Sequence, residues 1–90
     1  MTRYKPDKDA LAATLTDGAV LLNLRTNRYH SLNDTGARVW QLLVEGRTES
    51  EIVGVLTVEY EVSEAQARKE TGGIIAALEA AQLIVVVENG

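Results

Sequence analysis

The residues that come nearest to a catalytic pair in this sequence are His30 and Ser31. His30 is the only histidine of the chain, and a serine beside it suggests a nucleophile with its general base. Both lie in the run 28–32, which we predict to be a β-strand because turn-forming residues bound it on both sides. Neighbouring side chains of a strand point to opposite faces of the sheet, so these two cannot make the contact that such catalysis needs. We therefore expect a protein that is not an enzyme.

The sequence also lacks the residues for a metal centre. It contains no Cys, which excludes disulfides, a thiolate nucleophile and cysteine-ligated metals. A lone His without a cluster of carboxylates offers too few metal ligands. We expect neither a metal ion nor another cofactor.

Length, charge and hydropathy narrow the remaining functions. The 90 residues are expected to form one domain, 1–90, with a single core and surface grooves but no deep cavity. A net charge of −4 argues against nucleic acid, because a DNA-binding protein gains most of its affinity by neutralising phosphates. No apolar run approaches the roughly 20 residues that span a bilayer, and no signal peptide is evident. We expect a cytoplasmic monomer that binds neither nucleic acid nor membranes.

The elements that position the run 28–32 begin with two earlier strands. Two-residue alternation and the turn residues Thr16, Asp17 and Gly18 predict strands at 10–15 and 19–24. In the first strand Leu11, Ala13 and Leu15 share a face. In the second we expect the apolar face, formed by Val20, Leu22 and Leu24, to cover the helices.

The two ends of the chain are expected to differ in structure. Residues 1–9 are polar, contain the only Pro, and are interpreted as a flexible arm. The β-branched run 83–87 is too short for a helix and predicts a small final strand. Residues 88–90 are expected to fray.

Three helices should lie between these strands and the C-terminal run. The first is predicted at 34–44 and ends near Gly46. Capping boxes at 48–51 and 63–66 predict the starts of the second and third helices, because in each box a hydroxyl faces a Glu or Gln three residues later. The third helix should continue to about Ala81.

The third helix carries a feature that local rules do not explain. Gly72 and Gly73 lie in its interior, where each costs about 0.5–1 kcal/mol relative to Ala. Either they are a weak spot packed against a neighbouring element, or they form the floor of a shallow groove for a ligand. Helical spacing directs one stripe of this helix toward the core, namely Ala67, Thr71, Ile74 and Leu78.

The predicted order is three antiparallel strands, three helices and a short C-terminal strand, which is an α+β class similar to a winged helix-turn-helix. Several segments resemble the PqqD-like family, whose members recognise leader segments of ribosomally made, modified peptides. Gly36 after 33–35 is most similar to the standalone leader-binding members of lasso-peptide pathways. The sequence departs from the family at Gln82, where Gly is usual, and at Glu70, where Asp is frequent. The matching segments are 20–24, 27–29, 32–33, 36–37, 39–40, 42–43, 48–52, 60–62 and 78–84.

This resemblance implies a non-catalytic adaptor in lasso-peptide biosynthesis. Such a protein binds a leader peptide as an added strand, between the third strand and the third helix, and presents the precursor to a leader peptidase and a cyclase. The third strand is the last of the predicted sheet, and an open edge offers unpaired N–H and C=O groups to another chain. The leader-binding residues that we expect are Arg28, Tyr29, His30, Ser31 and Leu32 on the strand and Arg68, Thr71, Gly72, Ile75, Ala76 and Glu79 on the helix.

Two other functions remain open from the sequence alone. A winged-helix DNA-binding regulator would read DNA with the third helix, although Glu64, Arg68, Lys69 and Glu70 give that helix a mixed surface instead of a basic one. A PqqD-type peptide chaperone for a radical SAM enzyme would share the fold and the peptide-binding mode.

Overall fold

The computed structural model describes residues 2–88. Over these residues the chain forms five strands and three helices. This order confirms the predicted α+β class. The elements are β1 (Thr2–Pro6), β2 (Ala10–Leu15), β3 (Gly18–Asn23), β4 (Arg28–Asn33), α1 (Asp34–Val44), α2 (Glu49–Glu59), α3 (Glu64–Ala80) and β5 (Ile84–Glu88).

β2, β3 and β4 form an antiparallel sheet in that order, as the turn chemistry predicted. Thr16 and Asp17 connect β2 to β3, and the four residues 24–27 connect β3 to β4. Asn27 adopts a φ of +60° in the second connection, a conformation that Asn tolerates better than most residues. β4 runs directly into α1, which fixes the strand relative to the helices.

Side-chain caps define where the helices begin. Asn33 accepts a bond from the backbone nitrogen of Gly36 at 2.8 Å, and a complete capping box joins Thr48 and Glu51 through bonds of 2.8 and 3.2 Å. Ser63 caps α3 by accepting from the backbone nitrogen of Gln66 at 3.1 Å. Only the forward bond of the predicted capping box is present at this cap, and the Gln66 side-chain nitrogen donates to Glu70 along the helix at 2.9 Å.

α1 and α3 end in the same type of turn. The residue after each cap has a positive φ, +86° at Gly46 and +60° at Gln82. In this geometry the backbone nitrogens of the positive-φ residue and of the residue after it donate to carbonyls of the last helical turn, which is the Schellman motif. The bonds run from Gly46 to Leu43, Arg47 to Leu42, Gln82 to Glu79 and Leu83 to Leu78. Gly adopts this conformation without strain, which accounts for the Gly that the resemblance leads us to expect at position 82, although Gln82 adopts it as well.

The core lies between the inner face of the three-stranded sheet and the helices. It is aliphatic around Trp40, which is 8% exposed. The other buried hydrophobic residues of this cluster are Leu21, Val39, Leu42, Leu43, Ile52, Val53, Leu56, Ala67, Ile75, Leu78, Leu83 and Ile84.

The prediction of a flexible arm over 1–9 is wrong for residues 2–6. They form β1, which pairs antiparallel with β5 so that Tyr4 lies opposite Val86. The β-branched run of β5 needs a hydrogen-bonding partner, and Tyr4 packs against the core while Arg3 and Lys5 are exposed. Of the predicted frayed tail, residue 88 ends β5, and residues 89–90 lie outside the described residues.

The predicted orientation of β3 is also wrong. Leu21 and Asn23 are fully buried against the helices, whereas Val20, Leu22 and Leu24 lie on the opposite face. The reason is Asn23, whose side chain is polar but is buried because its amide is fully hydrogen-bonded to backbone groups. Its side-chain nitrogen donates to the carbonyls of Ala81 and Gln82, and its oxygen accepts from the backbone nitrogens of Arg25 and Thr26.

Candidate functional site

β4 is an open edge of the sheet. Within residues 2–88 it pairs only with β3, so its other side presents unpaired backbone groups. Such groups are a template for an incoming strand. The inward side chains of β4 are Arg28, His30 and Leu32, because they lie opposite the inward-facing Asn23, Leu21 and Ala19 of β3.

A cleft runs between this edge and α3 and contains two adjoining cavities. The first has a volume of about 400 Å³, and the second has about 480 Å³. Ala77 lines both, so they are neighbours along the helix. The first is lined by Leu32, Asn33, Thr35, Gln66, Lys69, Glu70, Gly73, Ile74 and Ala77. The second is lined by Thr26, Arg28, His30, Ala77, Ala80, Ala81 and Gln82.

The five site residues predicted on the strand all lie on β4, but they face two directions. Arg28, His30 and Leu32 line the cleft. Tyr29 and Ser31 lie on the outer face of the sheet, where Tyr29 is 70% exposed. His30 and Ser31 therefore point to opposite faces, as the strand alternation requires.

The six residues predicted on α3 do not line the cleft. Thr71 and Ile75 are buried in the core at 0% and 3% exposure. Gly72 faces α2, since a Cβ built there would lie 3.8 Å from the Glu49 carboxylate. Arg68, Ala76 and Glu79 are exposed but do not line either cavity of the cleft.

The predicted residues and the cleft lie on different sides of α3. We expected the buried stripe to include Ile74, but it runs through Ala67, Thr71, Ile75 and Leu78. At 3.6 residues per turn, the predicted site face lies on one flank of this stripe and the cleft lies on the other. Ile74 therefore belongs to the cleft.

Sequence reasoning missed the residues of α3 that do line the cleft. Among them is a row of small residues, Gly73, Ala77 and Ala81, that repeats every four positions. Residues four apart lie on the same face of a helix. The spacing of these small residues in the sequence therefore predicts a shallow groove on that face. A Cβ at Gly73 would meet no atom within 4 Å. Of the two glycines for which the sequence suggested a groove floor, Gly73 is therefore the one that faces open space in the cleft.

Charges of both signs border the cleft. Arg28 and Lys69 line the two cavities, and neither forms an ion pair within residues 2–88. Glu70 accepts a hydrogen bond from Gln66 at 2.9 Å. Arg68, on the other flank of α3, lies 3.7 Å from Glu64. The available cations near the cleft are therefore Arg28 and Lys69.

A third cavity lies between β2 and α1, and its charged residues Asp34 and Arg38 are already paired. The Tyr60 hydroxyl donates to Asp34 at 2.9 Å, and Arg38 binds Glu59 through bonds of 2.8 and 2.7 Å. Burial, followed by the Asp34 contact, raises the pKa of Tyr60, and Arg38 lowers the pKa of Glu59. These contacts tie α1 to α2, so we assign them a structural role.

Metal-binding clusters and membrane-spanning helices are two other features that a chain of this kind could carry. Among residues 2–88, no three His, Cys, Asp or Glu side chains are grouped closely enough to hold a metal ion. No helix in this part of the chain has the length and apolar character to cross a membrane.

Comparison with known proteins points to one family. The sequence model described as "Coenzyme PQQ synthesis protein D (PqqD)" matches residues 18–84. The solved structure of TbiB1 in complex with the TbiA(beta) leader peptide is 30% identical, with a TM-score of 0.86 over 94% of this chain and 99% of that chain. Lasso peptide synthetase B1 complexed with the leader peptide is 28% identical, with a TM-score of 0.84 over 92% of this chain and 98% of that one. The curated proteins give no significant match. The chain belongs to the PqqD family, which confirms the resemblance seen in its sequence.

Proposed function

We propose that this chain is a non-catalytic adaptor for lasso-peptide biosynthesis in the cytoplasm, acting as a single domain over residues 1–90. It binds the leader segment of a ribosomally made precursor and presents that precursor to a leader peptidase and a cyclase. Two similar solved proteins are bound to leader peptides. The observation that carries the proposal is the open edge of β4 beside the cleft on α3.

Strand addition at β4 requires more than backbone pairing. Each added hydrogen bond contributes about 0.5–1.5 kcal/mol, whereas ordering each residue of the peptide costs about 1–2 kcal/mol. Burial of apolar side chains, at roughly 1.5–3 kcal/mol each, has to supply the difference. The cleft provides the apolar surface for this through Leu32, Ile74 and Ala77.

The two cavities set the spacing of these anchors. The inward residues Arg28 and Leu32 are four positions apart on β4, which is about 13 Å in an extended strand. A peptide paired with β4 directs every second side chain toward α3. We therefore expect two apolar or aromatic anchors about four residues apart, one in each cavity, with a smaller residue over Ala77.

The charge around the cleft adds a polar preference. Arg28 and Lys69 lie at different ends of the cleft, and an acidic peptide residue beside either would form a partly desolvated charge pair. The leader that fits best is therefore apolar at its anchors and acidic near one of them.

Fluorescence anisotropy with a labelled leader peptide, such as the TbiA(beta) leader bound by the similar TbiB1, tests the proposal. We expect a Kd of about 1 μM or lower, on the order of −8 kcal/mol, and no comparable affinity for a scrambled peptide. Hydrogen exchange should slow at the backbone amides of residues 28–33. Absence of binding, or protection confined to another strand, would refute the proposal.

The two alternatives are not favoured. The surface of α3 mixes Glu64, Arg68, Lys69 and Glu70, and the chain carries a net charge of −4, which opposes a DNA phosphate backbone. A chaperone for a radical SAM enzyme has the same fold, but the two similar solved structures come from leader recognition by TbiB1 and by lasso peptide synthetase B1. Binding to duplex DNA that falls steeply with salt would favour the regulator.

A further inference from the structure

The backbone hydrogen bonds around β3 show which groups of β4 are free. The nitrogen of Leu24, directly after β3, donates at 2.9 Å to the carbonyl of Asp9, directly before β2. Hydrogen-bonded positions alternate along an antiparallel strand, so Leu24 faces β2 and Asn23 faces β4. The Asn23 carbonyl accordingly accepts a bond at 2.7 Å from the nitrogen of Asn27, which lies in the connection to β4.

The same alternation continues across the register into β4. Arg28, His30 and Leu32 lie opposite the β3 residues that face β4, so their N–H and C=O groups bond to β3. Tyr29 and Ser31 direct their N–H and C=O groups toward the open edge instead. A leader strand added at this edge therefore forms its backbone hydrogen bonds with Tyr29 and Ser31.

An added strand presents its side chains to two faces. Adjacent side chains of neighbouring strands lie on the same face of a sheet, and successive side chains alternate between the faces. The leader residues beside Arg28, His30 and Leu32 therefore point toward α3, and the two cavities of the cleft receive them. The leader residues beside Tyr29 and Ser31 lie on the outer face of the sheet, which the cleft does not reach.

The outer face carries an apolar row that ends at the open edge. Leu11 lies opposite Leu22, and Leu22 lies opposite Tyr29. Leu22 has a strand on each side and is half-buried. Within residues 2–88, Tyr29 has a strand on one side only, and it is 70% exposed. A leader residue beside Tyr29 would continue this row and cover part of the ring.

The adjacent row has a different character at the same edge. Ala13 lies opposite Val20, and Val20 lies opposite Ser31. Ser31 is exposed, and its hydroxyl group both donates and accepts hydrogen bonds but offers little apolar surface. An apolar leader residue therefore gains more beside Tyr29 than beside Ser31, although these two positions are only two residues apart.

We propose that this chain recognises its leader on both faces of the added strand, and that Tyr29 determines specificity on the outer face. This inference rests on the proposed binding of a leader at β4. It defines the leader over five successive positions, with an apolar anchor beside Arg28, an apolar or aromatic residue beside Tyr29, a small residue beside His30, a polar residue beside Ser31 and a second apolar anchor beside Leu32.

The structure ties this preference to strand addition. The free backbone groups and the exposed ring belong to the same residue, Tyr29, so a strand that bonds to these groups places a side chain beside the ring. The two rows on the outer face contain no charged residue, so covering them desolvates no charge. Cross-strand pairs that include an aromatic residue stabilise a sheet enough to change affinity by up to about fivefold.

Anisotropy titrations with the labelled TbiA(beta) leader separate this inference from the function on which it rests. We expect Tyr29→Ser, which places Ser at both outward positions, to weaken binding by about three- to fivefold. Tyr29→Phe keeps the ring and should bind as the wild type does. Leu11→Ser is the matched control, because Leu11 is 53% exposed in the same row but lies two strands, about 10 Å, from β4. Circular dichroism melts check that each variant is folded.

An alanine scan of the leader locates the residue beside Tyr29. In a double-mutant cycle, alanine at that position should cost affinity in the wild type but little in Tyr29→Ser. Inward leader residues are identified by their coupling to Gly73→Ala, which adds a methyl group to the floor of the cleft. The leader residue coupled to Tyr29 should lie an odd number of positions from these inward residues.

Residue-resolved hydrogen exchange tests the register independently. Leader binding should slow exchange at the amides of Tyr29 and Ser31, whereas the amides of Arg28 and His30 should exchange slowly already in the free protein. Absence of binding by the wild type would refute the proposed function together with this inference. Binding that Tyr29→Ser leaves unchanged, an equal loss in Leu11→Ser, or an even separation in the leader would overturn this inference alone.

Discussion

The side-chain nitrogen of Asn23 in β3 lies 3.0 Å from the backbone oxygen of Ala81, to which it donates at the end of α3. The same nitrogen donates to the Gln82 carbonyl at 3.1 Å. Asn23 therefore joins the β3–β4 hairpin to the helix that forms the other wall of the cleft. Both carbonyls belong to residues that line the second cavity.

We expect Asn23→Ala to lower the free energy of unfolding by about 2–4 kcal/mol, because it removes four hydrogen bonds made by one buried amide. Urea denaturation measures this change. Asn27→Gly is the matched control, since Asn27 is exposed in the same connection at positive φ, and its effect should stay within about 0.5 kcal/mol. Equal effects of both variants would contradict the role assigned to Asn23.

Gly73→Gln should block the cleft without harming the fold. Both Gly73 and Gly54 are helical positions where a Cβ meets nothing within 4 Å, so substitution by Gln should stabilise the protein by about 0.5–1 kcal/mol at either site. Only Gly73 lines the cleft. In anisotropy titrations we expect Gly73→Gln to weaken leader binding at least tenfold and Gly54→Gln to leave it unchanged. Undiminished binding by the first variant would place the peptide elsewhere.

Lys69→Glu and Arg68→Glu separate the two flanks of α3. Lys69 lines the cleft, whereas Arg68 lies on the other flank beside Glu64. If an acidic leader residue binds near Lys69, Lys69→Glu should cost about 1–2 kcal/mol of binding free energy at low salt. The loss should be smaller at higher salt, because ions screen the charges. Arg68→Glu has the same charge change and should have little effect. A reversed order of the two effects would support the helix face inferred from the sequence alone.

Gln82→Gly should stabilise the protein. Gln82 holds a φ of +60°, which strains a residue with a side chain but not Gly. We expect a gain of about 0.5–1 kcal/mol, because the relief of strain is partly offset by the greater freedom of Gly in the unfolded chain. Gly46→Ala tests the equivalent position of α1, at +86°, and should cost about 1 kcal/mol. Thermal melts of both variants measure these shifts.

Stability should fall at both ends of the pH range. Backbone N–H groups, with help from Arg25 at the first site, lower the pKa of Asp7 and of Glu51. That stabilisation is present above the ordinary values of 3.8 and 4.5 and is lost as the pH falls through the lower folded values. Burial raises the pKa of Tyr4 above 10.0, so its contribution is present below that pH and is lost as the pH rises further.

Urea midpoints measured against pH should therefore show a plateau between about pH 5 and about pH 9. Glu51→Gln keeps a capping side chain but removes its titration, so the acid limb should become shallower. Glu61→Gln, on an exposed residue outside any cap, is the control. An acid limb that is unchanged in Glu51→Gln would show that this carboxylate does not contribute to the pH dependence.

The features that could be predicted from sequence are those decided by near neighbours in the chain. The capping box of Thr48 and Glu51 requires only a three-residue spacing, and it places the start of α2 correctly. The predicted range 34–44 for α1 matches the structure because Asn33 and Gly46 mark its ends. In both cases hydrogen bonds between residues close in sequence are enough to predict where the helix begins or ends.

The features that could not be predicted depend on contacts distant in sequence. Ile74 and Ile75 are adjacent and equally apolar, so only the packing of α3 against α2 decides which one is buried. Asn23 is buried because of carbonyls 58 and 59 residues later. β1 forms because residue 4 meets residue 86. The position of β4 at the edge of the sheet could therefore be predicted from sequence, whereas the side of α3 that faces the cleft could not.

The pairing of β1 with β5 brings the two ends of the described chain together, since Thr2 lies opposite Glu88. Antiparallel partners have Cα atoms about 5 Å apart, so a linker of a few residues can join them. The domain is consequently suited to circular permutation, and to grafting into a surface loop of a host enzyme with both connections leaving from one point. Such a graft would place the cleft beside β4 in the host enzyme, and neither protein would have to change its backbone conformation at the junction.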